Sequence, residues 1–260
     1  MTSNKKVCIL YTGGTIGMVA TEFGYAPKKD YFNILLNQFH QMKNPALPHW
    51  DVIEFDPLLD SSNIAVDEWN NIGRTIAEKY DEYDGFVVLH GTDTMSYTAS
   101  ALSFMLEGLN KPVIFTGAQI PLCELRSDGR DNLINSIIIA GEGHVKEVCV
   151  YFGNKLLRAN RSTKIASKDL QAFDSPDYPP LAEVRIDICY NESAMTLPSR
   201  PKTFHFTELQ SFPIGVLKLF PGFQFDLFEG MINSNLKAVV LEAFGSGNIP
   251  TNTKVNWIKK

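Results

Sequence analysis

Val7-Cys8-Ile9-Leu10-Tyr11-Thr12-Gly13-Gly14-Thr15-Ile16-Gly17 runs from a continuous apolar stretch into a glycine-rich turn that presents a threonine. An apolar run without polar alternation fits a strand buried on both faces. Glycine tolerates positive φ and close backbone approach, so Gly13 and Gly14 let the chain turn sharply and aim N–H groups at a ligand. Phe86-Val87-Val88-Leu89-His90-Gly91-Thr92-Asp93-Thr94 repeats the arrangement further along. Two strand ends that each deliver a hydroxyl to an opening suggest one shared site, with a threonine as candidate nucleophile.

Outward from that stretch, short apolar runs at 6–11, 51–55, 85–90, 112–116 and 147–152 alternate with helical patterns at 30–41, 66–82, 95–109 and 128–142. The rhythm predicts an α/β fold of repeated βα units, with a parallel sheet flanked by helices on both sides. Trp69, Ile72, Ile76 and Tyr80 recur at helical spacing behind Asp67 and Glu68, acids that favour the positive end of a helix dipole. In 95–109 the apolar stripe reads Tyr97, Ala101, Phe104, Met105 and Gly108. Ligands of such sheets bind beyond the carboxyl ends of the strands, where the winding reverses. The exits here are polar: Thr12 to Thr15, Asp60-Ser61-Ser62, His90 to Asp93, and Thr116 to Gln119. That succession predicts a pocket.

Past residue 152 the pattern loosens, and antiparallel or hairpin structure is expected. Pro198, Pro201 and Pro213 mark 194–213 as a linker, with a strand at 203–206, between a large N-terminal domain at 1–193 and a smaller α/β C-terminal domain at 214–260. Segments 214–219, 225–234 and 237–242 read as one further βαβ unit. It is too short to bury both faces of its own sheet, so the second domain is expected to be incomplete in this sequence, the alternative being that it leans on the first domain or on another subunit.

The 260 residues are 44% hydrophobic and 20% charged, with a net charge of -5, the balance of a soluble globular protein. That charge is too mild to argue for nucleic acid or an anionic membrane as partner. The first apolar run covers only Val7 to Tyr11, short of a signal-peptide core or a membrane span, and a cytoplasmic protein is expected. Cys8, Cys123, Cys149 and Cys189 lie far apart with no CxxC pair, as reduced thiols would. The five histidines lack metal-ligand spacing, and no metal site is expected.

A threonine hydroxyl needs a base or proton relay within hydrogen-bond reach. His90 ends a buried strand and reads as structural. Tyr25 and Lys164 are the better candidates, a phenol and an amine whose pKa burial is expected to lower. Residues 16–27 hold Gly17 and Gly24 as hinges and have the composition of a lid that could bring Tyr25 over Thr15. An ordinary loop with a surface tyrosine fits the same residues. Asp93 could pair with a cationic group of a substrate and Asp60-Ser61-Ser62 could receive a carboxylate, which together suit an α-amino acid. Taken singly, Ser62 or Asn63 and Asp93 also read as caps of the helices that follow them.

The chain resembles the bacterial type I, cytoplasmic L-asparaginases of the asparaginase/glutaminase superfamily. Tyr11-Thr12-Gly13-Gly14-Thr15-Ile16-Gly17 is similar to that family's first signature and Leu89-His90-Gly91-Thr92-Asp93-Thr94-Met95 to its second. Asn160-Arg161-Ser162-Thr163-Lys164 resembles the segment that holds its lysine, and the likeness extends through Pro57-Leu58-Leu59-Asp60-Ser61-Ser62 and 120–129. The resemblance implies Thr15 as attacking hydroxyl, Tyr25 as its lid partner and Thr92 as second catalytic threonine, with Lys164 and Asp93 in a relay around it. It implies that Asp93 also holds the substrate α-amino group, and that Asp60, Ser61 and Ser62 hold the α-carboxylate side. The implied reaction is hydrolysis of L-asparagine to L-aspartate and ammonia without a cofactor, in a homodimer or dimer of dimers.

Some type I enzymes bind asparagine at an effector site that uses an arginine after the strand matching 237–242. Thr163 matches another contact of that site, but Glu242 stands at the arginine position, which leaves effector control unsupported. Variants of the family that prefer glutamine or serve tRNA-linked amidation are close alternatives. A phosphate-cradling nucleotide module is a distant one, because no Gly-Lys-Ser/Thr follows the first turn and its glycines lack GxGxxG spacing.

Overall fold

Lys6–Gly13 (β1) is the hub of the molecule, and Val7 through Gly13 are all buried. The computed structural model describes residues 4–195, 203–232 and 235–250. From β1 the chain enters a 3-10 turn, Thr15–Gly17, then an antiparallel hairpin of Met18–Thr21 (β2) and Gly24–Pro27 (β3). Phe32–Gln38 (α1), His49–Leu59 (β4), Val66–Glu78 (α2), Gly85–Leu89 (β5) and Met95–Met105 (α3) follow. Leu106–Glu107 (β6), Val113–Thr116 (β7), Gly129–Glu142 (α4) and Val148–Phe152 (β8) continue the alternation. Lys155–Arg158 (β9), Thr163–Lys164 (β10), Phe173–Asp174 (β11), Ala182–Val184 (β12) and Ile188–Tyr190 (β13) are short.

The main sheet has eight strands in the order β13-β12-β9-β8-β7-β5-β1-β4. The neighbours from β4 to β8 pair parallel, whereas β8–β9, β9–β12 and β12–β13 pair antiparallel, as the loosened pattern after residue 152 suggests. The chain goes from β1 to β4 on one side, then crosses back to β5 on the other, so the winding reverses between β1 and β5. Doubly wound sheets bind ligands at such a reversal.

Alternation along each strand divides the core into two layers. Val7, Ile9 and Tyr11 join Val87, Leu89 and Tyr151 under α1 and α4. Cys8 and Leu10 join Phe86, Val88, Phe115 and Val150 under α2 and α3. The helix at 95–105 corrects the expected stripe. Met95, Thr98, Ala99, Leu102 and Met105 are buried, while Tyr97 and Phe104 are 70% and 67% exposed. The sequence of α3 is apolar around most of its circumference, so periodicity alone does not fix which face meets the sheet. Trp69 Nε1 donates to Thr98 Oγ1 at 3.0 Å, which fixes the rotation between α2 and α3.

Residues 1–209 form one unit and 210–260 another. The stretch read as a linker is divided between them. His205–Phe206 (β14) pairs with β6, Phe204 stacks on Tyr80 at 3.7 Å, and Asn70 exchanges two hydrogen bonds with the Leu209 backbone. In the second unit, Ile214–Lys218 (β15) and Ala238–Glu242 (β16) pair parallel, with Glu229–Ile232 (α5) between them in sequence. Leu217, Leu219, Phe223 and Phe225 make its small core, and Ile214, Val216 and Val240 lie open.

Candidate active site

The exits of β1, β4, β5 and β7 press against one another, and glycine makes the approach possible. Gly13 and Gly14 have φ of 133° and 85°. A Cβ at Gly14 would lie 2.6 Å from the Cα and N of Gly91, and one at Gly91 would lie 2.5 Å from Ser61 Oγ. Neither position has room for a side chain. Thr12 Oγ1 donates to Leu89 O at 2.8 Å, so the ends of β1 and β5 are joined just before the two turns. Thr94 Oγ1 donates to Ser61 O at 2.7 Å, which ties the exit of β4 to that of β5. The convergence read from the polar exits is therefore physical contact.

Thr92 is buried at 8% exposure, and three side chains gather around it. Lys164 Nζ donates to Thr92 Oγ1 and to Asp93 Oδ1, both at 2.8 Å. Thr92 Oγ1 in turn donates to Gln119 Oε1 at 3.3 Å. Lys164 sits on β10, which is held by its antiparallel partner β11. Its side chain is 16% exposed, whereas the Asp93 carboxylate is 68% exposed and open to a cationic ligand group. Gln119 Nε2 donates to Ser167 O and Asp169 O, so one amide spans from Thr92 to the loop behind Lys164.

His90 has the structural place read for it. Burial lowers its pKa to about 4, so the ring is neutral at pH 7, and its Nδ1 lies 2.7 Å from Gly91 O. Asp60 accepts from Ser62 N at 3.0 Å and caps the Ser61–Asn63 turn, whereas the N-cap position of α2 is Ala65, so neither Ser62 nor Asn63 caps that helix. Asp93 makes no cap on α3; its carboxylate goes to Lys164 instead.

Tyr25 departs from expectation. Its hydroxyl donates to Glu124 Oε1 at 2.7 Å, and its ring is 49% exposed. The Glu124 carboxylate first, and desolvation second, raise the phenol above its ordinary range rather than lowering it. The physical reason is general: burial and a neighbouring anion both disfavour phenolate. Strand β3 packs beside the Thr15–Gly17 turn.

Lys164 thus joins Thr92 to Asp93, Ser61 lies against Gly91, and Thr15 is half-buried in the turn at the neighbouring exit. Gln119 and Glu124 escaped the sequence reading as site residues. Gln119 closes a quoted strand exit, and that was its signal. Glu124 has no local pattern that marks it. Among the described residues, no group of three or more His, Cys, Asp or Glu side chains could hold a metal ion.

Residues 6–196 match the family model described as Asparaginase, N-terminal. L-asparaginase 1 of Escherichia coli K12 is 43% identical over 251 residues, which cover 95% of this chain and 73% of that protein. The crystal structure of L-asparaginase I from Vibrio cholerae superimposes with a TM-score of 0.88 at 42% identity, over 95% of this chain and 74% of the other. A probable cytoplasmic L-asparaginase from Campylobacter jejuni superimposes with a TM-score of 0.77 at 27% identity, over 95% of this chain and 77% of the other. The fold is a doubly wound α/β sheet, with the candidate site at its switch point. The chain belongs to the asparaginase family.

Proposed function

We propose that the protein hydrolyses L-asparagine to L-aspartate and ammonia by acyl transfer through Thr15. The observation that carries the proposal is the Lys164–Thr92–Asp93 cluster at the sheet reversal, next to the turn that presents Thr15. The family relatives named above, three proteins called L-asparaginase, support the same substrate.

In this reading Thr15 Oγ attacks the side-chain amide, ammonia leaves, and water resolves a β-aspartyl ester. Backbone N–H groups of the two glycine turns stabilise the oxyanion. Asp93 binds the substrate ammonium, and the Asp60-Ser61-Ser62 turn offers hydroxyls and N–H groups to the α-carboxylate. Lys164 and Thr92 form a proton relay for the water step. The reaction uses no cofactor. A cytoplasmic location is supported by four free cysteines, which suit a reducing compartment. A homodimer or dimer of dimers is supported by the open apolar side chains of the 210–260 unit. No helix among the described residues is long and apolar enough to cross a membrane.

Acid quench during turnover of L-asparagine, followed by peptide mass spectrometry, tests the assignment. An aspartyl group is expected on the peptide that contains Thr15. The same group on Thr92, with Thr15 unmodified, would reverse the roles.

A further inference from the structure

Tyr11, near the end of β1, reaches the turn that presents Thr15. Its side chain is fully buried, and its ring stacks on Phe32, the first residue of α1, at a centroid distance of 4.1 Å. The hydroxyl ends against Gly17, the last residue of the turn. A Cβ at Gly17 would lie 2.1 Å from Tyr11 Oη, 2.4 Å from Cζ and 2.9 Å from Cε2. Gly17 is not one of the glycines with positive φ, so the phenol, and not the backbone conformation, demands glycine there. Expected from the sequence as a hinge, Gly17 is a buried contact.

The Tyr11 oxygen makes no hydrogen bond to any described residue. Burial first, and the Glu54 carboxylate second, hold the phenol above its ordinary range, so it is neutral at pH 7. A buried hydroxyl without a partner weakens a fold, and phenylalanine would bury the same ring without that cost. What the oxygen adds is reach, because it is the atom that comes nearest to the Cβ position of Gly17. The turn needs support from outside: Gly17 N meets Gly14 O only at 3.4 Å, a long bond. One outside contact is Leu122 N, which donates to Ile16 O at 3.0 Å. The phenol is the other.

We propose that Tyr11 is a positioning residue whose phenolic oxygen is a steric prop for the Thr15–Gly17 turn and sets the place from which Thr15 attacks. The inference rests on the reading of Thr15 as nucleophile. Attack requires the reacting atoms to be about 3–3.5 Å apart and aligned, and a misplacement on the order of 1 Å costs about 100-fold. Without the oxygen the space against Gly17 is one atom deeper, and the turn moves into it. Being buried, Tyr11 acts only through the turn.

Steady-state ammonia assays and single-turnover formation of the aspartyl-enzyme, on Tyr11→Phe and on protein with para-methylphenylalanine at position 11, test the inference. Tyr11→Phe is expected to lower kcat and the acylation rate together by about 10- to 100-fold, with KM little changed. Its urea midpoint is expected to stay at or above that of the wild type, since the variant sheds an unpaired hydroxyl. The methyl group of para-methylphenylalanine fills the place of the oxygen and forms no hydrogen bond, so it is expected to restore both rates. A wild-type kcat for Tyr11→Phe overturns the inference. Equal losses from both replacements also overturn it, because they would mean that the hydroxyl works through a hydrogen bond. Full turnover in Thr15→Ala instead defeats the underlying reading of Thr15, a distinguishable result.

Discussion

The turns that carry Thr15 and Thr92 are written in nearly the same residues, yet the fold surrounds them differently. Thr92 is buried, receives Lys164 and leans on Gln119, so its hydroxyl is committed on both sides. Thr15 is half-buried, and its hydroxyl has no hydrogen-bond partner among the described residues. A nucleophile must be free to leave its ground-state contacts and form a covalent bond, whereas a relay group must stay fixed between donor and acceptor. The difference supports the proposed roles, in which the uncommitted hydroxyl attacks and the committed one conducts protons.

The sharpest way to break that contrast is Thr15→Ala. Ammonia release from L-asparagine should fall by at least about 1,000-fold, because loss of a nucleophile removes a covalent route entirely. Near-normal turnover would dissolve the assignment. Thr92→Val and Lys164→Met should each lower kcat by about 100-fold. Because the pair acts as a unit, the double variant should lose far less than the product of the single losses; multiplicative losses in the same assay would mean separate roles.

The contact between the two turns can be tested through stability. Gly14→Ala places a methyl group against the Gly91 backbone at positive φ, and should cost about 2–4 kcal/mol in a urea unfolding titration. A cost near zero would mean that the turns do not meet.

The smallest effect near neutral pH belongs to His90, which precedes the Thr92 turn. Its folded pKa of about 4 lies below the ordinary value of 6.5. The unfolded chain therefore binds the extra proton first, and stability declines as pH falls from about 6.5 to about 4, by up to ~1.4 kcal/mol per pH unit. Below that window both states are protonated and the decline from this group ends. His90→Asn should lose this part of the slope in pH-dependent unfolding, and an unchanged slope would show that the ring is not the group responsible.

Several parts of this arrangement were legible in the chain. The apolar runs ending in Gly13-Gly14-Thr15 and Gly91-Thr92 located both turns, since glycine is demanded wherever backbones approach within a side chain's width. The polar exits likewise located the strand ends that meet at the candidate site. The buried face of α3 was not legible, because Tyr97 and Phe104 are as apolar as Leu102 and only the sheet chooses between them. Residues 16–27 read as a lid or an ordinary loop, not as the β2–β3 hairpin they form, and Tyr25 was not legible as a partner of Glu124, which lies 99 positions away in sequence.

By itself, the sequence determined which strands would be buried on both faces and where glycine would admit a close crossing. Those are local properties of side-chain chemistry and backbone freedom. Tertiary structure alone decided which threonine is held and which is free. That distinction depends on Lys164 and Gln119 reaching Thr92 from distant segments, and on a loop at 119–128 bracing Tyr25. Contacts between residues far apart in the chain are set by the order in which strands wind around the sheet, and short-range pattern carries no record of them.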